Sequence, residues 1–150
     1  MRALVQVADS AHVEVEQEIT GGFDGHGLVV LLGVTHTDTE ATAAQIATKI
    51  AHLRILPGER SVLSENAPVL LISQFTLYGD VRRGRRPGWS EAAPGAVSEP
   101  LYEEVAAVLR GLGVTVSTGV FGAHMRVQLV NDGPFTVWID SADLPDPARP

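Results

Sequence analysis

The sequence contains no cysteine. That absence removes disulfides, a thiol nucleophile and cysteine-ligated zinc from consideration. No apolar run approaches the roughly 20 residues a membrane helix needs. Met1-Arg2 leads straight into a short strand-like segment, with neither the long apolar stretch nor the cleavage site of a signal peptide, so the expected compartment is the cytoplasm. Lysine is nearly missing too. Of eleven basic residues only Lys49 is lysine, a bias that a GC-rich genome produces as readily as function does. The histidines at 12, 26, 36, 52 and 124 show no H-E-x-x-H or similar metal spacing, and His52 falls beside the apolar stripe of a predicted helix, where a structural or surface role is usual. There is no G-x-S-x-G elbow. Gly111-Leu112-Gly113 follows a helix where a dinucleotide fingerprint would precede one, so it reads as a helix stop. No metal and no cofactor are expected.

What is present describes one globular domain. The chain has 150 residues, 45% hydrophobic and 19% charged, enough to bury a core without staples. A net charge of −7 argues against a uniformly nucleic-acid-binding surface. The distribution matters more than the sum, because Arg82, Arg83, Arg85 and Arg86 fall within five positions.

Along the chain, Ala3 to Val7 and Val13 to Ile19 read as short strands, and "TGGFDGHG" after them as turn chemistry. Leu28 to Val34 is a continuous apolar run suited to a central strand. Thr37 and Glu40 have capping-box spacing, and Ala43, Ile46, Ala47, Ile50 and Leu53 repeat at helical intervals, which predicts a helix from about Thr39 to Leu53. "LPGERSVLSENAP" reads as a loop with room for a short strand, and Val69 to Leu77 as the next strand. Residues 79 to 97 are dense in Gly, Pro and Arg and read as a long loop. Ser98 caps a second predicted helix with Pro100 in its first turn, and Gly111 and Gly113 end it. Val114 to Thr118, Met125 to Val130 and Phe135 to Ile139 complete roughly seven strands, and residues 141 to 150 form a loose polar tail after a domain spanning 1 to 140. The expected fold class is α+β: a single domain with mixed or antiparallel, barrel-like sheet and two main helices.

Two stretches carry chemistry. In "SQFTLYGD", Ser73, Gln74 and Thr76 bring polar side chains to the end of an apolar strand; strand alternation would send Gln74 and Thr76 to one face and Ser73, Phe75 and Leu77 to the other. From spacing alone these groups satisfy a strand end as easily as they form a site. In "LVNDGPFTVWID", Asn131-Asp132-Gly133-Pro134 has the composition of a hairpin loop. The alternative is a cis Gly-Pro bond that turns neighbouring carbonyls the same way, an acceptor site for an ammonium group.

Together, "SQFTL" and "LVNDGPFTVWI" resemble the two signature motifs of the D-aminoacyl-tRNA deacylases. The similarity extends over "MRALVQ", "LLGV", "LRI", "GRRPGWSEAAPG" and "TGVFGAHMRVQLVNDGP" in the expected order, leaving out only about the last ten residues. The resemblance implies the fold of that family and a homodimer with active sites at the subunit interface. Ser73, Gln74, Phe75, Thr76 and Leu77 would line the pocket from one subunit, and Gly133-Pro134, as a cis peptide, would enter from the other. Its carbonyls would hold the substrate's amino group and leave no room for an L side chain, so chirality is tested by exclusion. Phe121 and Met125 would back the pocket, and Asn131 and Thr136 would brace the Gly-Pro loop.

The implied reaction hydrolyses the ester between a D-amino acid, or achiral glycine, and the 3′-terminal adenosine of tRNA, a proofreading step in translation. Positioned water and backbone N–H groups facing the oxyanion suffice for an ester, with the substrate's ribose 2′-hydroxyl assisting. Thr76 is read as orienting substrate or water, since no histidine is an evident partner to activate it. Arg82, Arg83, Arg85 and Arg86 fit an acceptor stem held through its phosphates, and equally a solvated loop.

There are two departures from the family's pattern. Many relatives carry an arginine where this sequence has Val7, and "LPGERSVLSENAP" looks shortened. Competing readings are a non-catalytic RNA-binding module of the same fold, akin to the domain appended to some threonyl-tRNA synthetases, and a structural dimer.

Overall fold

The computed structural model describes residues 1–145. Strand β1 (Arg2–Val15) turns through Glu16 and Gln17 into β2 (Glu18–Gly33). Both turn residues have positive φ, 51° and 70°, the geometry a two-residue hairpin requires. The predicted strand from Val13 to Ile19 is therefore broken at its middle, and the two short strands around residues 3 to 15 are one. The Gly-rich stretch is not a turn either; it continues β2. Its glycines are needed for close approach: a Cβ at Gly21 would lie 2.4 Å from the Thr118 carbonyl oxygen, and one at Gly27 would lie 2.6 Å from that of Pro68.

Helix α1 (Glu40–His52) follows the predicted span, but its capping box is Thr39 with Thr42 instead of Thr37 with Glu40. The Thr39 hydroxyl accepts from the Thr42 N–H at 3.3 Å, and the Thr42 hydroxyl accepts from the Thr39 N–H at 3.3 Å. A one-turn helix, α2 (Val62–Glu65), stands where a loop was expected, capped by Ser61 and Ser64 in the same way. Strand β3 (Val69–Ser73) is shorter than predicted, because Phe75–Tyr78 form a 3₁₀ turn.

Helix α3 (Gly95–Gly111) begins at Pro94, earlier than predicted. Ser98 lies inside it, and its hydroxyl donates back to the Pro94 carbonyl at 3.1 Å. Pro100 sits only one turn in, so the ladder bond it removes is near the helix start. Strands β4 (Val116–Thr118) and β5 (Arg126–Asp140) follow.

The sheet runs β4-β3-β2-β1-β5, parallel among β2, β3 and β4 and antiparallel on either side of β1. Period-two alternation gives it two apolar faces. On one, Val5, Leu28, Val30 and Leu71 pack beneath Ile46 and Ile50 of α1 and Val105 and Leu109 of α3. On the other, Val13, Val29, Leu70 and Ile72 pack with Met125, Val127 and Leu129. β3 and β5 are separated by two strands yet share this second cluster, so the sheet curls toward a barrel.

The first part of the predicted tail is not loose. Ser141–Asp143 form a 3₁₀ turn, the Ser141 N–H donates to the Met1 carbonyl at 2.8 Å, and Leu144 packs against the core. Residues 146–150 lie outside the described residues.

Candidate active site

Strand β3 ends under a cavity of about 370 Å³. Its walls come from three places in the chain. Ser73, Gln74 and Phe75 leave the sheet there, Ala93, Gly95 and Ser98 belong to the start of α3, and Phe121 to Met125 form the segment between β4 and β5. Ile72, Leu32 and Val34 supply the apolar floor.

This end of β3 is held from below. The Tyr102 hydroxyl, buried on α3, donates to the Leu71 carbonyl at 2.8 Å, and burial pushes its ionisation well above the ordinary tyrosine range. Its ring packs against Phe121 at 5.8 Å between centroids. The 3₁₀ turn brings the Gln74 amide to donate to the Thr76 hydroxyl, so these side chains meet through a turn and not by strand alternation. Thr76 is exposed at the rim and does not line the cavity, and neither does Leu77. Among the described residues, no backbone carbonyl accepts from the N–H of Phe75 or Thr76, while Gln74 N–H is bonded to Leu32 and Leu77 N–H to Gln74.

No local pattern singles out Arg2. Its guanidinium donates to the Leu77 carbonyl at 2.9 Å and to Asp140 at 2.9 Å, and lies over the Tyr78 ring at 4.3 Å. It therefore ties the 3₁₀ turn to the last residue of β5. Burial alone would raise the Asp140 pKa, but the Ala142 N–H and the Arg2 guanidinium hold it below the usual carboxylate range. Trp89 was missed as well; it meets Phe75 edge-on at 5.3 Å. His124, also unassigned from sequence, lines the cavity beside Met125. It lay inside "TGVFGAHM", where position among two expected lining residues was the available signal.

The other predicted residues are elsewhere. Gln6 pairs with Thr136 and Ala8 with Asn131, so residues 132 to 135 span the single position Val7. They form a bulge in one edge strand, not a hairpin loop, because β1 is the partner on both sides. The Gly133-Pro134 bond is cis. Asn131 Nδ2 donates to the Val7 carbonyl at 2.8 Å and to that of Phe135 at 3.3 Å, and Gln6 Nε2 donates to Thr136 Oγ1 at 3.2 Å. Val7 itself is buried. Gly133 and Pro134 are exposed, and none of Asn131, Gly133, Pro134 and Thr136 lines the cavity of its own chain. Before, within and beyond the bulge, Val130, Phe135 and Trp138 leave 55%, 48% and 47% of their surface exposed along the same edge strand.

The arginine segment is a small closed loop. Asp80 and Gly88 exchange two backbone hydrogen bonds of 2.8 Å. Arg82 is committed within it, donating to both Asp80 oxygens at 2.8 Å, and these bonds lower the Asp80 pKa to about 2. Arg83, Arg85 and Arg86 are exposed and have no ion-pair partner among the described residues.

The family model for D-Tyr-tRNA(Tyr) deacylase matches residues 4–140. A D-aminoacyl-tRNA deacylase of Kocuria rhizophila is 57% identical over 149 residues, covering 99% of each chain. That of Streptomyces coelicolor is 60% identical over 140 residues, 93% of this chain and 99% of the relative. A solved structure titled c-Myc DNA Unwinding Element Binding Protein is 33% identical and superposes with a TM-score of 0.85, over 93% of this chain and 98% of the other. One titled as a probable eukaryotic D-amino acid tRNA deacylase shares the fold, with a TM-score of 0.82 over 92% and 97% at 18% identity. Matched from within β1 to the end of β5, with both motifs inside the matched span, the chain belongs to the D-Tyr-tRNA(Tyr) deacylase family.

Proposed function

We propose that this protein hydrolyses the ester of D-aminoacyl-tRNA, releasing the D-amino acid and free tRNA in the cytoplasm. The observation that carries the reading is the family match along the whole domain together with a cavity lined by Ser73, Gln74 and Phe75 of the first motif. The 3′-terminal adenosine and its aminoacyl group enter that cavity between Phe75 and the Phe121 to Met125 segment. The unpaired N–H groups of Phe75 and Thr76 face the developing oxyanion, and Thr76, its hydroxyl held by Gln74, orients water or substrate. Ser73 shapes the pocket beneath them, Leu77 fixes the end of the turn through its carbonyl bond to Arg2, and the ribose 2′-hydroxyl assists.

The second half of the site comes from a second copy of the chain. A long edge strand with three exposed apolar side chains is a surface that normally finds a partner. Pairing two copies through β5 brings Gly133-Pro134 of one over the cavity of the other, where the loop excludes an L side chain. Asn131 and Thr136 brace that loop. The exposed Arg83, Arg85 and Arg86, with Arg82 holding the loop closed, meet acceptor-stem phosphates.

The test is release of tyrosine from D-Tyr-tRNA against L-Tyr-tRNA. Preferential release from the D substrate is expected, and no release at micromolar enzyme would sink the reading. Shared sites have their own test: a Gln74→Ala chain and a Gly133→Val chain, each inactive alone, recover activity when mixed. Failure to complement refutes the two-subunit site.

A further inference from the structure

Three strands meet at a cluster of titratable side chains that lies outside the cavity. Asp9 occupies the irregularity where β1 slips register between Ala8 and Ser10. His26 projects from the facing stretch of β2, and Asp132 is the first residue of the β5 bulge, directly before Gly133. His26 Nε2 lies 2.7 Å from Asp132 Oδ2 and 3.0 Å from Asp9 Oδ1.

We infer that His26 is a positioning residue for the Gly133-Pro134 loop, clamping Asp132 against Asp9 and so setting how sharply the loop separates D from L substrates. The inference rests on the reading above of that loop as the selector.

The bulge needs an external hold. Residues 132 to 135 make no ladder pairing with β1, and a Cβ added at Gly133 would find only the Asn131 side chain, at 3.4 Å. Asn131 anchors the entry and exit of the bulge through the carbonyls of Val7 and Phe135. Among the described residues, the His26 ring alone reaches the next side chain, Asp132.

The ring does more than add a contact. The three ligand atoms lie within 4.8 Å of one another, so the two carboxylates would face each other directly without the imidazole between them. Removing His26 therefore leaves like charges opposed across the root of the loop, which drives Asp132 away from Asp9 and moves Gly133 with it. The remaining charges nearby do not replace it: Asp24, on the same strand, is directed to His12 at 3.5 Å and adds negative charge.

The same three groups have the chemistry to ligate a divalent cation. Direct pairing is the better account, because Nε2 hydrogen-bonds Asp132, lies 3.0 Å from the Asp9 carboxylate, and all three side chains remain open to water.

The experiment measures kcat/KM on D-Tyr-tRNA and L-Tyr-tRNA, with the thermal midpoint, for the full chain and for His26→Ala, His26→Gln and the double variant His26→Ala with Asp9→Asn. His26→Ala should lower the D-to-L ratio about fivefold, the size expected for a partly exposed charge contact. His26→Gln, which keeps a donor, and the double variant, which removes the opposed charge, should each recover most of the ratio. EDTA should change nothing. A ratio unchanged in His26→Ala while only the midpoint moves would overturn the inference, and so would loss of the wild-type ratio in EDTA, which transfers the role to a bound cation. Wild-type protein that releases no D-amino acid overturns the functional reading first, and this inference with it.

Discussion

Ser73 to Tyr78 leaves the sheet from its middle, whereas Asp132 to Phe135 leaves it from its edge. The first segment continues β3, whose Leu70, Leu71 and Ile72 are wholly or almost wholly buried; Tyr102 from α3 holds the Leu71 carbonyl behind it, and Arg2 from β1 holds its own Leu77 carbonyl. The second is exposed, interrupts its pairing with β1 and is held by a few side-chain hydrogen bonds. The difference matches two duties. Groups that orient a reacting ester need the preorganisation a packed core provides. A segment that must enter another subunit's cavity has to stand clear of its own.

The comparison is broken most severely from the core side. Leu71→Ala should cost about 3 kcal/mol, since a fully buried leucine leaves both its transfer energy and a cavity behind, and the urea unfolding midpoint reads it. Activity should fall with the folded fraction. On the edge side, Asn131→Ala removes two hydrogen bonds and should cost about 2 kcal/mol at most in the same assay. Its larger effect should be on D-to-L discrimination. A variant that lost stability but kept full discrimination would show that the loop needs no brace.

Arg2 links the two regions, because it holds the Leu77 carbonyl and Asp140 at once. Arg2→Ala should cost about 1 kcal/mol near neutral pH, the range for a partly exposed pair. The sign follows from Asp140. Its folded pKa lies below the unfolded value, so the stabilisation is present above the ordinary aspartate range and is lost as pH falls through the folded pKa. The difference between the urea midpoints of wild type and Arg2→Ala should be largest near neutral pH and narrow in acid, as Asp140 takes up its proton. A difference undiminished in acid would assign the effect to the Leu77 carbonyl and the Tyr78 ring instead of Asp140.

The smallest effect belongs to the arginine loop. Arg83→Ala, Arg85→Ala and Arg86→Ala should leave folding unchanged, and each should reduce the slope of log tRNA affinity against log salt by about one. Arg82→Ala should change the slope less, because that side chain is already spent on Asp80. Equal effects at all four positions would show that the Asp80 pair opens on binding.

Much of this was legible beforehand. The apolar repeat from Ala43 to Leu53 marked α1 because a helical stripe depends on spacing alone, and Gly113, with φ of 97°, ends α3 as its lack of a side chain allows. Other elements were misplaced for reasons that neighbours decide. "TGGFDGHG" looks like a turn, yet its glycines admit Thr118 of β4 and Pro68 just before β3, both far along the chain. "SQFTL" looks like strand throughout, yet the chain turns away after Ser73 into a 3₁₀ turn, with the Gln74 carbonyl packed so close over Gly33 that a Cβ there would lie 3.0 Å from it. Ser98 has the side chain of a cap, but Pro94 supplies the earlier start.

By itself, the sequence determined the fold class, the two motifs and the family they belong to, because those reside in local pattern and in residue identity. Only the tertiary structure decided that the motifs stand apart in one chain, that Arg2 braces the first, and that Asp132 is caught between His26 and Asp9. Those relations join residues as much as 138 positions apart, and strand order and register, not local spacing, bring them into contact.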